Sequence, residues 1–258
     1  MIVAWVAALI ARLRGAWRLL ALVAHLLRGM WIIQMRFGPW PQARRDQAVQ
    51  QWSQQILHIL GVQLQVQGEA AQSAPVLLVS NHISWLDIAV LHAAVHCRFI
   101  SKDDIRSWPL IGTLATAAGT VYISRASRRD ALRVVHDMAA ALQAGDVLAF
   151  FPEGTTGDAS TVLPFHSNLF QAALVAQAPV QPLGLAFADA ASGAPSFAPC
   201  YVGEDTLLDS VWRTVCAPPL VAVLRFGVAQ QADGRERRQF AADLRDAVID
   251  LRGPAPRD

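Results

Sequence analysis

Val76-Leu77-Leu78-Val79-Ser80-Asn81-His82-Ile83-Ser84-Trp85-Leu86-Asp87 is the stretch on which the fold of this 258-residue chain turns. Its four leading apolar residues show no polar alternation, which reads as a strand buried on both faces. After a short polar break, Ser84 followed three residues later by an acidic side chain reads as the start of a helix. Val147-Leu148-Ala149-Phe150 repeats the device, and Phe151-Pro152-Glu153-Gly154-Thr155-Thr156 follows it. Both polar loops are therefore expected at strand ends, where open α/β sheets hold their ligands.

The spacing inside the first loop carries chemistry. Residues five apart on one helix point about 140° away from each other, so His82 and Asp87 meet only if the helix starts between them. With Ser84 as N-cap, Asp87 falls at the third helical position and its carboxylate turns back over the loop holding His82. There it is expected to accept the imidazole Nδ1 proton and leave Nε2 as a general base. No G-x-S-x-G elbow is present, and Ser84 has its capping role, so a covalent serine intermediate is not expected.

Four ordered blocks between about residues 75 and 185 extend this pattern: Asn81-His82-x-x-x-x-Asp87, Gly119-Thr120-Val121-Tyr122-Ile123-Ser124-Arg125, Phe151-Pro152-Glu153-Gly154-Thr155 and Ala178-Pro179-Val180-Gln181-Pro182-Leu183. In order and spacing they resemble the lysophospholipid acyltransferase family. The resemblance implies direct transfer of a fatty acyl group from acyl-CoA or acyl carrier protein to a lysolipid hydroxyl. It makes His82 and Asp87 the catalytic pair and places Arg125, Glu153, Gly154 and Thr155 in the acceptor site. Asn81 and Lys102 are assigned to substrate binding beside them. A thioester expels a thiolate whose conjugate acid has a pKa of roughly 8.5, so one base suffices, and no metal or cofactor is expected.

The chain departs from the family's common pattern in its cations. Many relatives carry arginine directly after the E-G-T triplet and lysine in a following F-K-x-G stretch, where this chain has Thr156 and Phe165-His166-Ser167-Asn168. Arg125 remains, with Lys102, the single lysine. Fewer cations weaken the case for a phosphate monoester, which favours bidentate arginine. They keep open a lyso-ornithine lipid as acceptor beside 1-acyl-sn-glycerol-3-phosphate. Thr155, Thr156 and His166 retain donors for a phosphate.

Composition points to a membrane surface. The chain is 53% hydrophobic and 16% charged, with the apolar excess concentrated from Met1 to Met35. Arg12, Arg14, Arg18 and Arg28 interrupt that segment, denying it the ~20 uninterrupted apolar residues of a simple span. Arg14, Arg18, His25, Arg28 and Arg36 fall within an arc of about 80° on one helix. The expectation is a membrane-associated helical segment over residues 1–37. Its basic stripe would face headgroups while Trp5, Trp17, Trp31 and the leucines enter the acyl region. A span with snorkelling arginines is the alternative. The catalytic domain, residues 38–258, would then face the cytoplasm from the cytoplasmic membrane. No cleaved secretory signal is expected, because no charge precedes the apolar start.

Elsewhere, helical spacing is read over 42–60, 129–143 and 168–177 and through Phe240, Leu244, Val248 and Leu251, and strands over 62–67, 180–187 and 220–228. Alternation of these elements predicts a single central sheet flanked by helices. Three cysteines without C-x-x-C spacing suit a reducing compartment, and His92 with His96 lacks the third ligand of a metal site. A formal charge of +2 without basic-aromatic tracts argues against nucleic acid as a partner. The rival classes are a lipid-binding protein without turnover and a thioester hydrolase.

Overall fold

The computed structural model describes residues 2–71, 74–123 and 128–253. Seven strands form one sheet: β1 (Val62–Gln67), β2 (Val76–Ser80), β3 (Arg98–Lys102), β4 (Val121–Ile123), β5 (Val147–Phe150), β6 (Val180–Asp189) and β7 (Leu220–Phe226). Their order is β1-β7-β6-β2-β5-β3-β4. The five strands from β6 to β4 run parallel, β7 is antiparallel to β6, and β1 is parallel to β7. Val79 of β2 lies opposite Phe150 of β5, so the loops after these neighbouring strands emerge side by side at one edge.

The unbroken apolar runs follow from burial of both sheet faces. Val76 and Leu78 of β2 join a core with Leu60, Leu86 and Val90, beneath α2 (Gln42–Leu60) and α3 (Leu86–Ala94). Leu77 and Val79 point the other way, to Met138, Leu142, Phe170 and Phe240. Those residues come from α5 (Arg128–Gln143), α6 (Phe170–Ala176) and α8 (Arg237–Arg252). The short α4 (Ile111–Ala117) precedes β4, and α7 (Leu207–Cys216) precedes β7. The helix expected from residue 168 opens as a 3₁₀ turn, Ser167–Leu169, before α6 begins.

The N-terminal segment is one long helix, α1 (Ile2–Ile32), ending in a π-helical turn at Ile33–Phe37. Its basic stripe corrects the expectation, because much of it faces the protein. Arg14 Nη2 donates to Cys216 O at 2.6 Å, and Arg18 Nη1 donates to Val215 O and Ala217 O at 3.2 and 2.9 Å. These carbonyls end α7, where no next helical turn exists to satisfy them and the helix dipole favours a cation. His25 Nε2 meets Trp52 O of α2 at 3.0 Å, with the two rings stacked 5.2 Å apart. Gly15 and Gly29 allow the close approach: a Cβ on Gly15 would stand 2.4 Å from Cys216 Sγ, and one on Gly29 2.8 Å from Trp52 Nε1.

What α1 leaves outside is apolar. Trp5, Leu13, Trp17 and Leu20 are 62–77% exposed, with Val6, Leu9, Ile10, Leu27 and Trp31 also outward. Arg12, Arg28 and Arg36 stay exposed. Among the described residues, no helix is long and apolar enough to cross a membrane.

Candidate active site

The turn between β2 and α3 places His82 against Asp87 as its spacing predicts. His82 Nδ1 lies 2.8 Å from Asp87 Oδ2, and the same oxygen accepts the backbone N–H groups of Ile83 at 2.6 Å and Ser84 at 2.9 Å. Two fixed donors on one carboxylate oxygen mark it as an acceptor, which puts the imidazole proton on Nδ1. Nε2 is then the lone-pair nitrogen, with no protein partner among the described residues. Asp87 is fully buried and the His82 side chain 18% exposed. The Phe151 ring stacks on the imidazole at 3.9 Å, within 4° of parallel, and fixes its plane.

The helix start differs in detail from the capping box expected. Helix α3 begins at Leu86 with Trp85 at its boundary, and the Ser84 hydroxyl accepts from Leu86 N at 3.1 Å rather than from Asp87 N. Asp87 still reaches back to Ser84 N, so the reciprocal arrangement survives one residue tighter. Ser84 is buried with its hydroxyl so committed.

The second loop grips the first. Glu153 Oε1 accepts from His82 N at 2.6 Å, its Oε2 accepts from Leu163 N at 2.7 Å, and Gly157 N donates to His82 O at 2.8 Å. Both backbone groups of His82 are thus held from the loop after β5. Burial raises the Glu153 carboxyl above its ordinary pKa, and the two amide bonds oppose that rise. Gly154 sits at φ +71°, the left-handed region that glycine enters without strain.

The remaining expected binding residues divide in two. Asn81 is buried, donates from Nδ2 to Leu185 O at 2.9 Å and accepts from Leu185 N at 2.8 Å, clipping the end of β2 to β6. With Glu153, it corrects the expectation of direct substrate contact: both side chains are turned to the backbone. Thr156, expected as a free donor, gives its hydroxyl to Tyr201 O. Thr155, His166 and Lys102 do line a common cavity with His82, and all three are exposed. Lys102 has no ion-pair partner among the described residues. Arg125 lies outside the described residues.

That cavity encloses about 1400 Å³. Its walls are mostly apolar, from Leu22 and Leu26 of α1 and Val49 and Trp52 of α2 to Ile88 of α3 and Leu114 of α4. The motif loops contribute His82, Gly154, Thr155 and Thr156 to its polar lining. Sequence reasoning gave no role to Phe151, Leu163 or Tyr201. Phe151 at least stands next to the Pro-Glu-Gly turn, but nothing local marks the other two.

The site is thus a carboxylate-held histidine on an α/β sheet, at the wall of a large, mostly apolar cavity. The comparisons narrow this. The acyltransferase family model matches residues 63–186. A 1-acyl-sn-glycerol-3-phosphate acyltransferase of Neisseria meningitidis is 35% identical over 216 residues, 82% of each chain. A lyso-ornithine lipid O-acyltransferase of Pseudomonas aeruginosa is 32% identical over 242 residues, 90% of this chain and 92% of the other. In fold, the crystal structure of a 1-acyl-sn-glycerophosphate acyltransferase from Thermotoga maritima aligns with a TM-score of 0.66 at 18% identity, covering 98% of this chain and 99% of that one. The chain belongs to the lysophospholipid acyltransferase family, and the activity that comes with this membership is O-acyl transfer to a glycerolipid-type acceptor.

Proposed function

We propose that the protein acylates the free hydroxyl of 1-acyl-sn-glycerol-3-phosphate to give phosphatidic acid, using acyl-CoA or acyl carrier protein as donor. His82 Nε2 removes the hydroxyl proton, the oxygen attacks the thioester carbonyl, and the C–S bond breaks to release the thiolate. Asp87 steadies the imidazolium that forms, and no acyl-enzyme intermediate or cofactor is required, because the donor arrives already activated. The observation that carries this reading is the 2.8 Å His82–Asp87 contact at the wall of a cavity large enough for acyl chains. Gly154, Thr155 and Lys102 line the acceptor side, Arg125 is assigned to the same acceptor through its sequence block, and Asn81 and Glu153 hold the loops after β2 and β5.

Lyso-ornithine lipid is the second acceptor to weigh. It is favoured by the Thr156 hydroxyl being spent on Tyr201 O and by the scarcity of cations: Lys102 and Arg28 are the described lysine and arginine side chains lining the cavity. The similar identities of the two relatives support both readings.

In the same proposal, the outward face of α1 lies in the interface of the cytoplasmic membrane, with the domain over residues 38–258 on the cytoplasmic side. Exposed tryptophans and leucines on one helix suit that depth.

The test is thiol release from oleoyl-CoA and palmitoyl-carrier protein, with lysophosphatidic acid, lyso-ornithine lipid or no acceptor. His82→Ala should lower acceptor-dependent release about 10²- to 10⁴-fold, the usual range for a general base. Release with lyso-ornithine lipid alone would replace the first acceptor by the second. Release independent of acceptor would mark a hydrolase, and bound lysolipid without product a binding protein.

A further inference from the structure

One residue outside the four sequence blocks ties the two catalytic loops together. Tyr201 N donates to Ile83 O, next to His82, at 3.1 Å, and Tyr201 O accepts the Thr156 hydroxyl from the other loop. The strap that carries it is itself held from α7. The Ser210 hydroxyl lies 3.0 Å from Cys200 O, and Arg213 donates to Ala198 O at 3.1 Å and to Cys200 O. The backbone around Tyr201 is therefore fixed from three sides, which fixes where its side chain projects.

Tyr201 lines the same cavity as His82, Thr155 and His166. It is half-buried, and its phenol hydroxyl has no partner among the described residues. Tyr122 shows the contrast: its hydroxyl is engaged by Thr116 Oγ1 at 2.9 Å and Gly112 O at 3.1 Å. A rigidly placed phenol with an unspent donor loses little freedom when it takes a ligand oxygen.

We propose that Tyr201 is a specificity-determining residue for the acceptor, its hydroxyl donating to an anionic headgroup oxygen while its backbone keeps the two catalytic loops in register. This rests on the acyl-transfer reading above for the identity of the acceptor. The headgroup chemistry is shared by a phosphate and a carboxylate, so both acceptors enter the test.

Tyr201→Phe keeps the ring and both backbone bonds and removes only the donor. Steady-state kinetics in mixed micelles would give KM for each acceptor and for oleoyl-CoA, and calorimetric titration with each lysolipid would read affinity without turnover. The expected result is a rise of about ten-fold in acceptor KM and in lysolipid Kd, with kcat and donor KM within two-fold, for the loss of one hydrogen bond to a charged group. A larger rise with lysophosphatidic acid identifies phosphate as the oxygen source, and a larger rise with lyso-ornithine lipid identifies its carboxylate. Acceptor KM and Kd equal to wild type would overturn the proposal, as would a fall in kcat alone. Thr156→Val should raise acceptor KM in the same direction by freeing the strap, and Thr156→Ser should restore it. If the wild type binds lysolipid without turning it over, the acyl-transfer reading fails while the Kd ratio still decides Tyr201. If it neither binds nor turns over either lipid, both fall.

Discussion

Asp87 and Arg18 are both buried charged residues, and they are satisfied in opposite ways. All three donors to Asp87 Oδ2 come from residues three to five positions away, within one turn of chain. Arg18 takes its carbonyl partners from 197 and 199 residues downstream, at the end of another helix. The first arrangement needs only a loop and a helix start. The second exists only once α1 has docked on α7, and it reverses the meaning of the residue: Arg14 and Arg18, which would suit lipid headgroups, are consumed by the protein's own carbonyls, while Arg28 and Arg36 of the same stripe stay exposed. The apolar face is left outside as a consequence.

Perturbing each side sharpens the contrast. Arg18→Met leaves Val215 O and Ala217 O without their donor, and the expected cost is about 3 to 4 kcal/mol in denaturant unfolding. A loss under ~1 kcal/mol would mean that water replaces the guanidinium and that α1 is not held in this way.

His92 offers a third case, a buried imidazole whose Nδ1 has no partner, edge-on to Phe99. Burial first, and the neighbouring His96 second, lower its pKa to about 4. As pH falls from 6.5 towards 4 the unfolded chain takes up a proton that the native state refuses, so stability should decline by about 3 kcal/mol across that window. Comparing unfolding at pH 7 and pH 4.5, His92→Leu should show a smaller decline than wild type, and an equal decline would point to other groups.

On the local side, Asp87→Asn can preserve the geometry, with the amide oxygen in the place of Oδ2. A neutral amide steadies imidazolium less, so turnover of the folded enzyme should fall about 10- to 100-fold, and the NH2 group in the buried, partnerless place of Oδ1 should lower the melting temperature by a few degrees. An unchanged rate would remove Asp87 from the chemistry. The smallest effect on folding is expected at Trp17, 72% exposed: Trp17→Ser should alter stability by less than about 0.5 kcal/mol. The same variant should weaken cosedimentation with anionic vesicles, and undiminished binding would move the proposed membrane face elsewhere.

Legibility followed the distance over which each feature is satisfied. The bounds of α2 and β1 match their sequence reading to the residue, because the Pro41 boundary, Gly61 at φ +70° and the strict alternation of Val62 to Gln67 are local signals. The start of α3 moved by a residue or two, since Ser84 accepts from Leu86 N instead of capping Asp87 N. Asn81 and Glu153 were picked out by their blocks. Asn81 makes both its bonds to the backbone of Leu185, 104 residues away, and Glu153 one each to the backbone of Leu163 and His82, 10 and 71 residues away. An amide donor carries no side-chain signature, so no motif could announce it.

By itself, then, the sequence determined the α/β class, the strand ends that carry the two loops, and the pairing of His82 with Asp87. Each depends on periodicity, capping and a gap of five residues, which act over less than two helical turns. Tertiary structure alone decided which way the arginines of α1 face, which of the polar block residues reach the cavity, and that Tyr201 joins the two loops. Those outcomes depend on which backbone groups are left without partners when distant elements pack, and that is a property of the assembled fold.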